Sequence, residues 1–455
     1  MRAIASIRRS RTLRNIKVGT NTIKECWPNP QQSVGRFIAK IGNQSCWEAV
    51  GPARATFLGL AQDIKQYLDT YSEPTSTWIT WSIYMIGNSP ELAIPTIIFC
   101  CDDAAHRKAI RDTIRDSSIL DAYSGIALKH LPRAPDYNQL VQLASPSTKE
   151  DIDILKSRTH SPYGPAILSI SQNMTSGSPL YIRMSDHAGK FRKATAGSVI
   201  RIQGQDCLTT VAHAFNGSPE RPSDPSQGGG DLYFSDSEDE YDAMSAASYS
   251  SDCSHISLVS EELTGRLDSA SDSTGECSNH EFEDSAEEYT TLSPDPALLV
   301  GQTLFLATEG MQPDLDYALI RLDKDPSNVS ADERVQTSKD LMLPCLTTAE
   351  DFIQLKETKV IADTASAGTL GGHISTTPVF LRIPNAEVYQ EVYHVRLETP
   401  LTQGDCGSWV SNASTGSLHG HIVAGCPDTG AAYIVPAYQI FDDIQKNLET
   451  IKERL

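Results

Sequence analysis

The sequence predicts a multidomain protein with a small N-terminal α/β domain, a longer all-β region that carries an acidic insert, and a C-terminal helix. Its 455 residues exceed what one compact core usually organises. Between positions 52 and 135 the apolar residues alternate between helical and strand periods. After position 163, short apolar runs are separated by Gly, Asn and Asp, which is typical of all-β domains. Residues 217–297 interrupt this β region and are rich in Ser, Asp, Glu and Gly.

The domain boundaries follow from these shifts in composition. We expect a basic disordered tail over 1–24, an α/β domain over 25–145, a polar linker over 146–163 and the β domain over 164–455. The tail carries seven Lys and Arg before the first acidic residue, Glu25. Such an Arg-rich, acid-poor start is also compatible with a mitochondrial transit peptide, and this alternative stays open.

One segment accounts for most of the net charge of −20. Residues 217–297 contain 20 acidic residues and two arginines, a charge of −18, and too little apolar surface to offset the entropy of ordering. The insert is therefore predicted to be largely disordered, and its Ser235 and Ser237, followed by acids, are candidate phosphorylation sites. The acidic balance argues against nucleic-acid binding. The longest apolar run, 92–101, is too short to span a membrane.

The ten cysteines indicate a reducing compartment. They form no CxxC pair and no dense disulfide framework, and the N-terminus lacks the apolar core of a secretory signal. We therefore expect an intracellular protein, cytoplasmic or nuclear. No metal-binding cluster or phosphate loop stands out, so no metal or cofactor is predicted.

Periodicity predicts the main elements. Apolar residues at helical spacing predict a helix over 57–71, and Asp103 is a candidate N-cap of a second helix containing Ile110, Ile114 and Ile119. Strands are predicted over 77–86 and 94–101 of the α/β domain. In the β domain they are predicted over 166–171, 180–184, 197–202, 207–212, 299–307, 317–322, 379–383, 392–397 and 420–423. The insert contributes one further candidate strand over 256–259, and an amphipathic helix is predicted over 437–455.

Three short motifs in the β region carry candidate chemistry. They read TTVAHAF over 209–215, DYALIRL over 316–322 and GDCGSW over 404–409. These pieces resemble TAAHC, DIALL and GDSGGP of the chymotrypsin-like peptidase family, with Cys replacing Ser as in the picornavirus-type 3C cysteine peptidases. The resemblance covers the C-terminal three-fifths of the chain. Residues 420–440 are also similar to those of fungal multidomain proteins.

The motif spacing partly matches the family template. Asp316 precedes Cys406 by 90 residues, close to the template. His213 precedes Asp316 by 103 residues, of which only 22 remain without the insert, so either the loops are trimmed or part of the insert folds.

The resemblance implies a double β-barrel that hydrolyses peptide bonds. A free thiol is mostly protonated at neutral pH, so His213 would take the proton of Cys406, and Asp316 would orient the imidazole. The backbone N–H groups of Gly404 and Cys406 would form the oxyanion hole. Asp314, two residues before Asp316, is the alternative acid.

The resemblance also indicates a substrate pocket, with Pro400 at the position where trypsin-like enzymes carry a charge selector. This argues against a preference for Lys or Arg. If His421 lies at the pocket floor, Gln or Glu would be preferred; an apolar pocket would prefer a side chain such as Leu or Phe. Both possibilities stay open. The candidate pocket residues are Pro400, Leu401, Thr402, Gln403, His421, Ala424 and Gly425.

Two function classes follow. The leading hypothesis is an intracellular cysteine endopeptidase acting on a protein or peptide, without nucleic acid or membrane as partner. The alternative is a peptidase-shaped binding module that has lost catalysis and recruits partners through its acidic insert and N-terminal domain. Asp405 stands where secreted relatives bind a newly cut N-terminus, but at least 160 residues precede the barrel, so that mode of activation is not expected. The sequence does not indicate an oligomeric state.

Overall fold

The structure, a computed structural model, describes residues 27–137, 140–147, 167–169, 174–183, 191–215, 234, 298–307, 315–322, 341–342, 346–354, 356–427 and 429–455. Several predicted features lie outside the described residues. They are the basic tail, most of the linker, the acidic insert apart from Phe234, the serines at 235 and 237, the candidate strand over 256–259, and Asp314.

The N-terminal region is rich in β-structure and holds two helices. Helix α1 (Gly51–Tyr71) buries an apolar face against the strands, and α2 (Ala104–Asp116) begins where Asp103 accepts hydrogen bonds from the N–H groups of Ala105 and His106. The predicted cap at Asp103 is thereby confirmed. The strands are β1 (Val34–Ile41), β2 (Gln44–Ala49), β3 (Ile79–Gly87), β4 (Ile94–Cys100) and β5 (Ala127–Leu131).

The next nine strands form one sheet, with the order β14-β10-β11-β13-β12-β7-β8-β9-β6. In β10 burial alternates, with Ile200 and Ile202 buried and Val199 and Arg201 half-buried, which is typical of a strand with one face in the core. The strands are β6 (Ser145–Pro146), β7 (Ile167–Ser169), β8 (Pro179–Arg183), β9 (Phe191–Thr195), β10 (Val199–Ile202), β11 (Gln205–Thr210), β12 (Leu298–Leu306), β13 (Ala318–Leu322) and β14 (Leu341–Met342).

The last six strands close into a barrel. They follow the order β16-β15-β18-β19-β20-β17, and β16 also pairs with β17, which closes the ring. β16 extends beyond the barrel and pairs with β3, so the N-terminal strands continue the same sheet. These strands are β15 (Thr358–Thr364), β16 (Gly368–Arg382), β17 (Gln390–Leu397), β18 (Trp409–Asn412), β19 (Leu418–Gly425) and β20 (Ala431–Pro436).

The C-terminus corrects one prediction. The single helix predicted over 437–455 is two helices, α4 (Ala437–Lys446) and α5 (Leu448–Arg454), which follow the short α3 (Ala349–Gln354). At the break, both the backbone N–H and the side-chain amide of Asn447 donate to the carbonyl oxygen of Asp443. Asn side chains compete with helical backbone bonding in this way, so the apolar periodicity continues while the helix ends. Among the described helices, none is long and apolar enough to cross a membrane.

A buried hydrogen bond joins α4 to the strand that follows Asp316. The hydroxyl of Tyr317 donates to Oδ2 of Asp443 over 2.7 Å, and neither residue has measurable exposure. Burial raises the pKa of Asp443, and the bond from Tyr317 acts in the opposite direction. The contact therefore stabilises a carboxylate that would otherwise be costly to bury.

We expect Tyr317→Phe to lower the free energy of unfolding at pH 7 by about 1 to 3 kcal/mol, because Asp443 loses its donor. The pKa of Asp443 is raised in the folded state, so its negative charge destabilises the fold at pH values above that raised pKa. This destabilisation disappears below the pKa of an unfolded-state aspartate, which is about 4. Urea unfolding at pH 7 and pH 4 measures this, and the loss should shrink at pH 4. The matched control is Tyr71→Phe, at a residue 64% exposed. An equal loss in both variants would contradict the assignment.

Candidate active site

His213 and Asp316 lie side by side because their strands pair. β11 and β13 are antiparallel, with Thr210 opposite Ala318, so the end of one strand meets the start of the other. The backbone N–H of His213 donates to Asp316 Oδ1 over 2.8 Å, and His213 Nδ1 lies 2.6 Å from Asp316 Oδ2. The two bonds fix the ring orientation and favour the tautomer with its proton on Nδ1. The other ring nitrogen, Nε2, is buried without a partner among the described residues.

Cys406 lies in a tight turn between two glycines with positive φ, Gly404 at 102° and Gly407 at 98°. A side chain at either position would be strained. A Cβ on Gly407 would also approach the carbonyl oxygen of Thr195 to 2.3 Å. The N–H of Thr195 donates to the carbonyl of Cys406 over 2.8 Å, which ties the turn to β9 of the other sheet.

The side chain of Asp405 also holds the turn in place. Its carboxylate is fully buried and accepts bonds from the backbone N–H and hydroxyl of Ser366, at 3.1 and 2.7 Å, and from the N–H of Thr402 at 2.7 Å. These neutral donors satisfy the carboxylate within the intact chain. Activation without a newly cut N-terminus stays a prediction.

The thiol of Cys406 is completely buried. Its sulfur accepts a hydrogen bond from the N–H of Leu143 over 3.2 Å. Burial raises the pKa of this thiol well above its usual range, while the N–H groups of Leu143 and Ala144 act in the opposite direction. The resting sulfur is therefore a neutral thiol that needs a base to become a nucleophile.

Residues 141–147, a segment from the N-terminal half, cross the turn that holds Cys406 and contact both sheets; the space that they occupy is called the cleft. Val141 forms an antiparallel bridge with Gly425, the carbonyl of Leu143 accepts from the N–H of Gly404, and β6 pairs with β9. Sequence analysis missed this segment as part of the site. Its alternation of Val141 and Leu143 around a glutamine is only a weak strand signal, and no spacing ties it to Cys406.

The structure brings together only some of the candidate pocket residues. Leu401, Ala424 and Gly425 are buried, whereas Pro400, Thr402 and Gln403 are exposed. The side chains of Leu143 and Leu401 meet over Gly425, where a Cβ would lie 2.9 Å from the Cδ1 atom of each. The contact surface around Leu143 is therefore apolar.

His421 is buried near the acid of the site. It lies in β19 opposite Trp409 and Val435, and its Nε2 has no partner among the described residues. Burial lowers its pKa to about 4, opposed by the Asp316 charge and a hydrogen bond to the backbone of Asp316. His421 is therefore neutral at physiological pH.

The described residues contain no group of three or more His, Cys, Asp or Glu arranged to hold a metal ion. The cysteines among them, at positions 46, 100, 101, 207, 406 and 426, are all buried, and none of these six forms a disulfide. Gly404 donates its N–H to a peptide carbonyl, as an oxyanion donor would. Within the described part of the chain, the N–H of Cys406, the other predicted donor, forms no backbone hydrogen bond.

Comparison with solved structures finds proteases at low similarity. The active form of Rv3671c protease from M. tuberculosis is 13% identical, with 67% of this chain and 88% of that chain covered and a TM-score of 0.29. An inactive mutant of the same protein is covered over 62% of its own length, less than two thirds. Thermobifida fusca Protease A is 11% identical, with 59% and 95% covered and a TM-score of 0.29.

A third match is a glutamic-acid-specific serine protease described as using a histidine triad in substrate binding. It is 13% identical, with 55% of this chain and 90% of that chain covered and a TM-score of 0.28. No family model and no curated protein matches the chain. TM-scores this low carry no functional information. The closed six-stranded barrel itself fits the chymotrypsin-like architecture that the motifs predicted.

Proposed function

We propose that this protein is an endopeptidase in which Cys406 attacks the peptide carbonyl, His213 is the general base and Asp316 orients the imidazole. One observation carries the proposal. The carbonyl oxygen of Leu143 accepts a hydrogen bond from the N–H of Gly404, and the N–H of Leu143 donates to the sulfur of Cys406. The nucleophile and an oxyanion donor thus both contact Leu143, which is part of the arrangement that acyl transfer requires.

The burial of Cys406 favours a resting thiol over a resting thiolate. Burial raises the pKa of the Cys406 thiol, so the sulfur keeps its proton until attack begins. His213 Nε2 has no hydrogen-bond partner among the described residues, the sulfur of Cys406 included, so in the proposed mechanism the imidazole and the thiol approach each other before the proton moves. Asp316 then stabilises the resulting imidazolium through its 2.6 Å contact with Nδ1.

The apolar contacts around Leu143 support a preference for Leu or a similar side chain immediately before the scissile bond. Leu401 and the bare backbone at Gly425 form the contact surface. An ionised side chain there would lose its hydration without a described partner, so Glu should be a poor substrate residue. His421, neutral and buried, does not supply the positive charge that a Glu side chain would need.

The test uses a fluorogenic peptide with Val-Gln-Leu before the cleavable bond. Because residues 141–147 occupy the cleft, the assay uses Val141→Pro, which removes the N–H donated to Gly425 and loosens the segment. In this background we expect turnover, and Cys406→Ala should lower kcat by roughly 10⁶-fold, the scale seen when a catalytic nucleophile is removed. The control is Cys207→Ala, a buried cysteine in β11, which should retain turnover.

Equal turnover in the presence and absence of Cys406 would contradict the proposal. If no peptide is turned over by a protein whose unfolding transition matches that of the wild type, the non-catalytic binding module is favoured instead.

A further inference from the structure

We propose that the chain is its own substrate and that Cys406 cleaves the peptide bond between Leu143 and Ala144. The inference rests on the proposed endopeptidase function and adds the substrate. It follows from how residues 141–147, the cleft segment, cross the site.

Before the proposed scissile bond, the cleft segment is held as an added strand. The N–H of Val141 donates to the carbonyl of Gly425 over 3.0 Å, and the N–H of Gly425 donates back to the carbonyl of Val141 over 2.9 Å. Reciprocal bonds of this kind define an antiparallel pair and set the register of the segment. Two residues further on, Leu143 faces the nucleophile turn.

The contacts of Leu143 select one peptide bond. Its carbonyl oxygen accepts from the N–H of Gly404, and its own N–H lies 3.2 Å from the sulfur of Cys406. The carbonyl carbon of Leu143 is bonded to this oxygen, and only the Cα atom separates the carbon from the nitrogen of Leu143. The N–H of Ala144, on the other side of the carbon, also acts on the Cys406 thiol. The sulfur is therefore contacted by the N–H groups on both sides of the Leu143 carbonyl carbon, next to the Leu143–Ala144 bond.

Beyond this bond the segment continues on the other sheet. Ser145 pairs with Lys193 and Pro146 with Arg192, and the N–H of Ser147 donates to the carbonyl of Phe191 over 2.8 Å. The chain is thus bound on both sides of the candidate bond, by β19 before it and by β9 after it. Binding an extended peptide across both sheets holds the reacting groups in place, which is the main requirement for attack.

The proposed reaction is a hydrolysis that consumes one water. The proton of the Cys406 thiol moves to His213 Nε2 as the sulfur bonds to the carbonyl carbon of Leu143. The bond to the Ala144 nitrogen then breaks, and that nitrogen takes the proton from His213 and leaves as an amine. Water attacks the thioester, giving up its proton to His213; the sulfur leaves and is reprotonated, and Leu143 ends as a carboxylic acid that ionises.

Cleavage would not separate the two parts of the chain. β3 belongs to the first fragment and pairs with β16 of the second through Trp81–Phe380, Thr80–Leu381 and Ile79–Arg382. The guanidinium of Arg382 also donates to the hydroxyl of Ser72 and the carbonyl of Glu73. The fragments should therefore stay associated, and a denaturing method is needed to see the cut.

The test follows the purified full chain by denaturing gel and intact mass spectrometry under reducing conditions. We expect fragments 1–143 and 144–455, formed at a first-order rate that does not change on tenfold dilution, because segment and nucleophile belong to one chain. Cys406→Ala should lose both fragments completely. Leu143→Asp should also stay intact, since it places a carboxylate against Leu401, whereas the similarly shaped Leu143→Met should be cut.

A blocked peptide with the sequence of residues 140–147, given to the Val141→Pro variant, separates this inference from the proposed function. Hydrolysis of the peptide with no fragments from the wild-type chain would leave the endopeptidase standing and overturn self-cleavage, making the cleft segment an inhibitor. Cleavage of the chain at another bond, or in Cys406→Ala, would also overturn it. Failure of both peptide and chain to be cut would reject the endopeptidase itself.

Discussion

Replacing His213 by alanine is expected to lower kcat for peptide hydrolysis by roughly 10⁴- to 10⁶-fold, the range found when a member of a catalytic triad is removed. The reason is the burial of Cys406, which raises the pKa of its thiol. Without a base within reach, almost no thiolate forms at neutral pH. A cysteine in an exposed, electropositive site would lose less, because part of it would already be ionised.

The measurement compares His213→Ala with a matched histidine in the Val141→Pro background. His373→Ala is the control, because His373 is half-buried on β16 opposite Arg396 and, among the described residues, forms no backbone hydrogen bond with the turn that holds Cys406. It should keep full turnover. If His213→Ala retained more than a tenth of the activity, another group would have to be the base.

Asp316→Asn is expected to lower kcat by about 10⁴-fold, the effect known for the corresponding change in the Ser-His-Asp template. Asp316 accepts two bonds from His213, from its backbone N–H and from Nδ1. An amide can keep one of them, but its NH₂ group then faces Nδ1 and favours the tautomer with the proton on Nε2. That tautomer cannot accept the proton of Cys406, so kcat should fall while KM changes little.

The control for this change is Asp442→Asn, at an exposed carboxylate of α4. It should behave like the parent in both kcat and KM. Normal turnover in Asp316→Asn would contradict the assignment and point to the alternative acid, Asp314. A rise in KM with kcat unchanged would instead indicate that Asp316 acts on substrate binding.

The sequence predicted the elements whose patterns involve only residues close together in the chain. The cap at Asp103 needs only a carboxylate two and three residues before free N–H groups, and the structure contains those bonds. β1 went unrecognised because most of its residues are half-buried on both faces, which leaves no clean alternation to detect. The C-terminal pattern continued through Asn447, where a side-chain hydrogen bond ends the helix without interrupting the apolar stripe.

The same division applies to the site. Sequence alone determined the candidate residues His213, Asp316 and Cys406 and their chemical types, because a glycine-flanked thiol and two strand-end motifs are local patterns in a known order. Only the tertiary structure decided what lies in front of the sulfur. Leu143 and Cys406 are 263 positions apart, and their contact depends on backbone bonds to β19 and β9. Backbone hydrogen bonds of this kind place no demand on side-chain identity, so they leave no periodicity or motif in the sequence.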